Sequence, residues 1–191
     1  SPAIFLLHGV TGSGKTEIYL RAIEKTLSQG KRAILLVPEI ALTAQTIRRV
    51  MARFPGKVAV VGEEKEKDDT QPGKTALIHS KLRPGERYDT WQRARAGQIN
   101  VMVGTRSALF TPMSNVGLII LDEEHDHSYK QSPPNLRNQV YYHARSVAER
   151  MMRDNNGTLI LGSATPSVES YFRAQRGEIS YLRLPDRIMG H

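Results

Sequence analysis

Short apolar runs alternate with amphipathic segments along most of this chain of 191 residues. Apolar runs bounded by turn residues are typical of buried strands, and they occur at 3–7, 33–38, 57–61, 99–104, 116–122, 158–162 and 180–184. Between them, apolar positions recur at helical spacing, which predicts helices over 16–29, 42–53, 84–96, 140–153 and 166–175, the last opened by Thr165. Buried strands separated by helices predict an α/β fold with a doubly wound, mostly parallel sheet.

One segment breaks this alternation. Residues 62–75, GEEKEKDDTQPGKT, are charged and rich in turn formers, and no apolar period runs through them. We expect a flexible, exposed insertion there, with 76–80 either resuming the preceding strand or adding a new one. The rest of 1–191 predicts a single domain without internal repeats. Because the chain has no initiator Met and starts just before its first predicted strand, we expect a piece of a longer protein.

Composition narrows the possible partners. Lys and Arg total 27 against 19 acidic residues, a net charge of +8, which indicates either a well-solvated basic surface or a polyanionic partner. Cysteine is absent, so neither a disulfide framework nor a thiolate zinc site is expected in these residues. The sequence has no run of about 18 apolar residues and no basic leader, so neither a membrane span nor a signal peptide is expected.

The stretch GVTGSGKT, between the first predicted strand and the first predicted helix, fits the phosphate-loop pattern. Glycines let the backbone wrap closely around phosphate oxygens, and the backbone N–H groups and the helix N-terminus supply positive potential. We expect Lys15 to reach the β- and γ-phosphates and Thr16 to offer a hydroxyl to Mg²⁺. The predicted nucleotide-binding residues are Gly9, Val10, Thr11, Gly12, Ser13, Gly14, Lys15 and Thr16.

A second group of polar residues follows the predicted strand 116–122, which ends in the acidic sequence DEEHD. Consecutive carboxylates at a strand end repel one another unless a cation lies there, and Mg²⁺ would supply it. We expect Asp122 to hold the metal and Glu123 to orient and deprotonate the attacking water. The alternative is an acidic turn on a solvated loop. A phosphate loop followed by these acids is typical of an ATPase, so ATP and Mg²⁺ are the predicted cofactors.

Longer motifs carry a family resemblance over nearly the whole chain. DEEH at 122–125 resembles the DEAH-type box of superfamily 2 helicases. Seven segments resemble, in order, those of the primosomal replication-restart helicases: GVTGSGKTEIYL, LVPEIALTAQ, HSKLRPGERYDTW, GTRSALFTP, LIILDEEHDHSYKQ, YHARSVA and LGSATPSVES. The resemblance implies a three-layer αβα, RecA-like P-loop NTPase domain. It would be the first lobe of a 3′-to-5′ DNA helicase that reloads the replication machinery at stalled forks.

The same resemblance implies partners and a location. The partners would be DNA forks and single-stranded DNA, a second helicase lobe of the same protein, and primosome and single-strand-binding proteins. The location would be the bacterial cytoplasm, close to the nucleoid, and zinc would bind elsewhere in such a protein. Helicases of this type hydrolyse ATP between two lobes, with arginine fingers from the second. We therefore expect these 191 residues alone to turn over little ATP.

The resemblance also assigns DNA contacts. Short polar or cationic side chains at predicted strand ends would grip the DNA backbone, namely Thr43, Gln45, Thr105, Arg106 and Ser107. In the aromatic-rich loop after the acidic box, Tyr129 would stack on a base, and Lys130 and Arg145 would supply charge. Helix capping, turn formation and core packing are the structural alternatives for these residues.

Coupling between ATP and DNA would depend on GSAT at 162–165. Ser163 and Thr165 would bridge to the acidic box by hydrogen bonds, although Thr165 also suits a cap for the following helix. His125 would either sense the γ-phosphate or close a hydrogen bond in the core.

Two other functions compete with a motor lobe. A P-loop kinase or a DNA-independent ATPase shares the phosphate loop but needs a substrate pocket and lid, for which the sequence offers no candidate. A non-catalytic DNA-binding module would use the net charge of +8 and leave the loop idle, yet the residues of ATP chemistry are intact. The ATPase rate with and without single-stranded DNA separates the three.

Overall fold

The computed structural model describes residues 3–41, 50, 52–54, 74–78, 83–130 and 141–188. The strands delimited there are β1 (Ala3–Gly9), β2 (Arg32–Leu36), β3 (Lys74–Ile78), β4 (Ile99–Gly104), β5 (Val116–Asp122), β6 (Thr158–Ser163) and β7 (Ser180–Leu184). The α-helices are α1 (Lys15–Ser28), α2 (Pro84–Arg95), α3 (Ala144–Asp154) and α4 (Val168–Gln175). Short 3₁₀ helices span Glu39–Ala41, Arg106–Phe110 and His127–Tyr129.

The strands form one sheet in the order β3-β4-β2-β5-β6-β1-β7. Every pairing between these strands is parallel, which confirms the predicted doubly wound sheet. Because parallel strands all end at the same edge of the sheet, the sequence motifs that follow β1, β4, β5 and β6 are brought together there. These strands end at Gly9, Gly104, Asp122 and Ser163.

Two hydrophobic cores cover the opposite faces of the sheet. On one face, Ile23 of α1 packs in the same core as Leu35 of β2. On the other face, Met152 of α3 belongs to the core that contains Leu36 of β2. Successive residues of one strand therefore face different cores, which explains why the strands are continuous apolar runs rather than alternating ones. The resulting layers are helix, sheet and helix.

The helix after the GSAT motif begins later than the sequence predicts. α4 starts at Val168, and its cap is Ser167, whose Oγ accepts a hydrogen bond from the N–H of Ser170 at 3.3 Å. The predicted start at Pro166 and the predicted cap at Thr165 are therefore wrong. The physical reason is that Ser167 is held in an extended conformation, because its N–H donates to a buried carboxylate described below.

Two further boundaries differ from the predictions. Lys74 and Thr75 belong to β3 at the edge of the sheet, so the predicted insertion boundary at residue 75 is wrong. The helix predicted from residue 140 begins at Ala144, where Nδ1 of His143 accepts from the N–H of Arg145 at 3.1 Å.

Some predicted elements lie outside the described residues. These are the strand 57–61, most of the helix 42–53 and the rest of the insertion, although residues 52 and 53 are helical. Within the described ranges, no helix has both the length and the apolar character needed to cross a membrane.

Candidate nucleotide and nucleic-acid site

The phosphate loop joins β1 to α1 in a tight turn. Gly12 and Gly14 take φ values of 82° and 87°, which glycine adopts without the strain that a Cβ would add. A Cβ on Gly9 would overlap Oγ of Ser13, so the loop also needs glycine at its first position. The sequence pattern therefore has a steric cause, and it leaves the backbone open to close approach by a phosphate.

Two groups under the loop fit an anionic ligand. The ammonium of Lys15 is buried and donates to the carbonyl oxygens of Gly9 at 2.7 Å and Val10 at 3.4 Å. Oγ of Ser13 is buried and makes no hydrogen bond to a described residue. A buried hydroxyl without a partner and a buried ammonium on neutral acceptors are both better satisfied by phosphate oxygens. Thr16 lies in the first turn of α1, at the same end of the helix.

Asp122 closes β5 beside this loop. Its Oδ1 accepts a hydrogen bond from the hydroxyl of Tyr19 at 2.9 Å. Burial raises the pKa of Asp122 above its usual value, although the Tyr19 hydrogen bond and the charge of Lys15 lower it. The ring of Tyr19 lies so close to Gly162 that a Cβ there would overlap its hydroxyl. Tyr19 positions Asp122, and no motif in the sequence indicates this contact across 103 positions.

The three acids of the DEEH box point in different directions. Glu123 has a left-handed φ of 48°, which turns the chain sharply after β5. Its side chain stays partly exposed, 3.7 Å from Nδ1 of His125. Glu124, by contrast, has a fully buried side chain. Glu124 therefore faces the protein interior, and the roles predicted for Asp122 at Mg²⁺ and for Glu123 at the attacking water stay predictions.

Glu124 accepts hydrogen bonds from the N-terminus of α4. Its carboxylate receives the N–H of Ser167 at 2.6 Å, the hydroxyl of Ser167 at 3.1 Å and the hydroxyl of Ser170 at 3.0 Å. Nη1 of Arg145 lies 3.4 Å away and supplies the compensating charge. These contacts tie the acidic box to the N-terminus of α4, directly after GSAT. We call Glu124, Arg145, Ser167 and Ser170 the buried carboxylate network.

This network corrects the predicted role of Arg145. Nη1 of Arg145 also donates to the hydroxyls of Ser167 at 3.0 Å and Ser170 at 2.8 Å, and the side chain is only 15% exposed. A guanidinium with these internal partners does not reach a DNA phosphate, so the DNA contact predicted for Arg145 is wrong.

The base-stacking role predicted for Tyr129 is also wrong. Tyr129 is fully buried, and its hydroxyl donates to the carbonyl of Asp122 at 2.7 Å. Tyr129 cannot stack on a base from there.

His125 and the GSAT motif are in direct contact. Nδ1 of His125 lies 2.8 Å from Oγ of Ser163, and Nε2 lies 3.4 Å from Oγ1 of Thr165. The N–H of Thr165 donates to Oγ of Ser163 at 2.9 Å. The structure therefore contains the hydrogen bonds expected between GSAT and the acidic box. The coupling role of these residues and the sensing role of His125 stay predictions.

Four of the predicted DNA-contacting residues, Thr105, Arg106, Ser107 and Lys130, share one groove of ≈ 620 Å³. We call it the basic groove, and its lining residues are Glu39, Arg87, Thr105, Arg106, Ser107, His127, Ser128, Lys130 and Tyr142. An antiparallel β-bridge pairs the backbone of the exposed Lys130 with that of His143. Nη1 of Arg106 donates to the carbonyl of Ser128 at 3.2 Å. Thr43 and Gln45 lie outside the described residues.

Arg87 and Tyr142, which lie outside the predicted DNA contacts, add a cation and an aromatic ring to the basic groove. The guanidinium of Arg106 lies 5.2 Å from the ring centre of Tyr142. The rings of Tyr142 and Phe110 are nearly perpendicular, with their centres 5.0 Å apart. Arg87 reaches the groove from α2. Sequence spacing gives no signal for either contact, although Arg87 lies within the segment HSKLRPGERYDTW that supports the family resemblance.

The candidate metal site depends on few protein groups. In the ranges that the structure describes, no group of three or more His, Cys, Asp or Glu side chains could hold a metal ion. Asp122 and Thr16 are the residues that would hold Mg²⁺, with phosphate oxygens and water completing its shell. This division of ligands is what Mg²⁺ prefers at nucleotide sites.

A phosphate loop and an acidic box at one edge of a parallel sheet define a P-loop NTPase. The family model described as "DEAD/DEAH box helicase" matches residues 3–173, and this chain belongs to that family. Curated relatives carry the name "Replication restart protein PriA". The chain is 46% identical over 185 residues to the one from Bacillus subtilis, covering 97% of this chain and 20% of the relative. It is 48% identical over 189 residues to the one from Synechocystis, covering 96% and 20%.

The chain therefore spans about a fifth of the length of these relatives. Among solved structures, it resembles RecG bound to a three-way DNA junction, with a TM-score of 0.61 and 25% identity over 99% of this chain and 21% of that one. The helicase domain of Hef from Pyrococcus furiosus gives a TM-score of 0.61 at 20% identity, over 97% of this chain and 36% of that one. The fold is that of a RecA-like helicase domain, as the resemblance implies.

Proposed function

We propose that this chain is the ATP-binding first lobe of a 3′-to-5′ DNA helicase that restarts stalled replication forks. The observation that carries the proposal is one continuous edge of the sheet. There, hydrogen bonds join the acidic box to GSAT and to Tyr19 of α1, the helix that follows the phosphate loop, and the basic groove lies alongside. The relatives named PriA support the assignment to replication restart.

We call the phosphate loop, the acidic box and GSAT together the nucleotide edge. Its residues have separate tasks in ATP hydrolysis. The loop's backbone N–H groups and Lys15 bind the phosphates, and Thr16 and Asp122 hold Mg²⁺. When bound, Mg²⁺ neutralises negative charge on the phosphate oxygens. Glu123 orients the attacking water and takes its proton, because its partly exposed carboxylate is free of the internal hydrogen bonds that hold Glu124. His125 passes a change at the γ-phosphate to Ser163 through their 2.8 Å contact.

The basic groove would hold the backbone of single-stranded DNA. Thr105, Arg106, Ser107 and Lys130 combine charge with small hydrogen-bonding side chains, which suits phosphate contacts without base recognition. GSAT and the buried carboxylate network would connect this grip to the ATP site. A second lobe of the same protein would close over the exposed Glu123 and supply arginine fingers, worth about 10³- to 10⁵-fold in rate. Primosome and single-strand-binding proteins would be further partners in the bacterial cytoplasm.

ATPase measurements on two proteins test the proposal: the 191-residue chain, and the longer protein that we propose to carry it. The chain should bind ATP with Mg²⁺ and turn over almost none. The longer protein should hydrolyse ATP rapidly, and only with single-stranded DNA present. Rapid DNA-independent hydrolysis by the chain would overturn the proposal in favour of a self-sufficient ATPase or kinase.

Polarity needs a separate measurement on the longer protein. Strand displacement from partial duplexes should require a 3′ single-stranded tail and fail with a 5′ tail. Displacement from the 5′-tailed substrate alone would contradict the 3′-to-5′ direction and leave the ATPase assignment standing.

A further inference from the structure

Helix α2 exposes two large aromatic side chains. Tyr88 is 62% exposed and Trp91 is 40% exposed, although both carry enough apolar surface to favour burial. With Pro84 and Arg87 they line a shallow cavity of ≈ 330 Å³. The hydroxyl of Tyr88 accepts a hydrogen bond from Nε2 of Gln92 at 2.6 Å, which fixes the direction of its ring. An exposed aromatic pair of this kind marks a binding surface.

One stripe of α2 carries cationic and aromatic residues without an acidic one. At about 100° per residue, Arg87, Trp91 and Arg95 follow one another at intervals of four along one stripe, with Tyr88 beside them. Asp89 projects from the opposite side of the helix by the same geometry. The face of Arg87, Tyr88, Trp91 and Arg95, which we call the α2 face, is therefore aromatic and cationic. This combination suits a polyanion that carries flat rings.

Arg87 connects the α2 face to the basic groove. Its side chain lines both the groove and the cavity beside Trp91. Its Nε is buried and makes no hydrogen bond in the described part of the chain. The guanidinium of Arg87 carries further N–H donors in a planar fork, which suits a phosphate oxygen at this ridge. The two surfaces therefore form one continuous path past Arg87.

We propose that the α2 face stacks unpaired bases of the nucleic acid strand that occupies the basic groove. The proposal rests on the proposed function, since the strand must first bind the groove. Trp91 and Tyr88 supply ring faces for bases, and Arg87 and Arg95 contact the phosphates between them. Base stacking on aromatic side chains tolerates any sequence, as a translocating motor requires.

Trp91 reports on this contact directly, because it is the single tryptophan of the sequence. The 191-residue chain is titrated with fluorescently labelled oligothymidylate, and binding is followed by anisotropy while quenching of Trp91 emission is recorded. An abasic oligonucleotide of the same length and charge is the matched probe. We expect oligothymidylate to quench Trp91 strongly and the abasic strand to bind with little quenching.

Three results would overturn the proposal. Binding of oligothymidylate without quenching would place the strand elsewhere and leave the proposed function intact. Equal quenching by both probes would show an electrostatic effect rather than stacking. Absence of binding by either probe would overturn this proposal together with the DNA grip of the proposed function.

Variants separate stacking from folding. Tyr88→Ala and Trp91→Ala should each weaken the binding of oligothymidylate about tenfold and leave the affinity for the abasic strand unchanged, whereas Trp91→Phe should retain most of the affinity. Phe172→Ala is the matched control, because Phe172 is an aromatic residue with similar exposure, 56%, but belongs to α4, where it lies under Arg176. It should change neither affinity. Unchanged affinities in both α2 variants would overturn the proposal and assign the face to a protein partner.

Discussion

The nucleotide edge and the basic groove lie side by side at one end of the sheet but are built differently. The nucleotide edge contains buried groups that are already bound to protein partners, such as Lys15 under its loop and Ser163 against His125. The groove consists of side chains that remain partly exposed, such as Arg106 and Lys130. The difference indicates that the first site is fixed before a ligand arrives, whereas the second keeps cations available for the sliding strand that we propose.

The chemistry of each ligand explains this contrast. Hydrolysis needs donors and carboxylates held within a fraction of an ångström, so preorganised contacts are required. A translocating strand needs grip without a single fixed position, and phosphate contacts provide it through charge. The comparison predicts that substitutions at the nucleotide edge abolish function, whereas substitutions in the groove weaken it by degrees.

The largest effect is expected for Lys15→Ala in the longer protein that we propose to carry this chain. We propose that the ammonium under the loop both binds the phosphates and meets their growing charge, so DNA-stimulated ATP hydrolysis should fall by more than about 10³-fold. Steady-state ATPase assays at saturating DNA measure it. Retention of even a tenth of the activity would contradict the role of Lys15.

Glu123→Gln should affect hydrolysis more than binding. The amide keeps the shape of the side chain but cannot take a proton, so turnover should drop by about 10²-fold or more. Affinity for a labelled ATP analogue should stay within a few-fold of the unsubstituted protein. A parallel loss of affinity and turnover would instead give Glu123 a binding role.

Sequence patterns predict the nucleotide edge well because its residues follow strands in the chain itself. The phosphate loop and Asp122 are placed by β1 and β5, and buried apolar runs reveal both strands. Sequence patterns do not predict the direction of the side chains that follow the strand. The left-handed turn at Glu123 sends Glu124 inward and brings Tyr129 under Asp122. No local pattern shows that turn, so the predicted exposure of Tyr129 is wrong.

Partners that are distant in sequence explain the remaining errors. Glu124 and Ser167 are 43 positions apart, and their contact decides both where α4 begins and why Arg145 is unavailable to DNA. The family resemblance assigns Arg145 a DNA contact through its charge, and a single sequence does not reveal which carboxylate lies opposite it in the fold.

Glu124→Ala should destabilise the fold rather than remove a ligand contact. It leaves Arg145 largely buried without its carboxylate and frees the start of α4, which should lower the free energy of unfolding by about 3–5 kcal/mol. Urea unfolding of the 191-residue chain measures the change. Asp154→Ala, which breaks an exposed pair with Arg150, is the control and should leave the midpoint nearly unchanged. A similar midpoint for both variants would contradict the network's role.

Arg106→Ala should produce the graded loss that the groove predicts. Removing one phosphate contact should weaken binding of single-stranded DNA several-fold and reduce the slope of log affinity against log salt by about 1. Arg106→Lys keeps the charge and should restore most of the slope. An unchanged slope in Arg106→Ala would show that this guanidinium serves Ser128 and Tyr142 rather than DNA.

The smallest effect is expected at Asp126, which lies on the turn between the two sites. Burial raises the pKa of Asp126, but hydrogen bonds from Ser128 and the charges of His125 and His127 outweigh it, so the net pKa lies below its usual value. A carboxylate with a lowered folded-state pKa stabilises the fold above its unfolded pKa, and this stability is lost as pH falls through the folded value.

Asp126→Asn tests whether this carboxylate makes the fold less stable as the pH falls. The amide still caps the 3₁₀ helix His127–Tyr129 but no longer titrates, so the acid-induced loss of stability should shrink by less than about 1 kcal/mol. Asp126→Ala removes the cap as well and should lower stability across the whole pH range. Unfolding midpoints from neutral to acidic pH distinguish the two variants. Identical pH profiles for Asp126→Asn and the unsubstituted chain would mean that the carboxylate does not stabilise the turn.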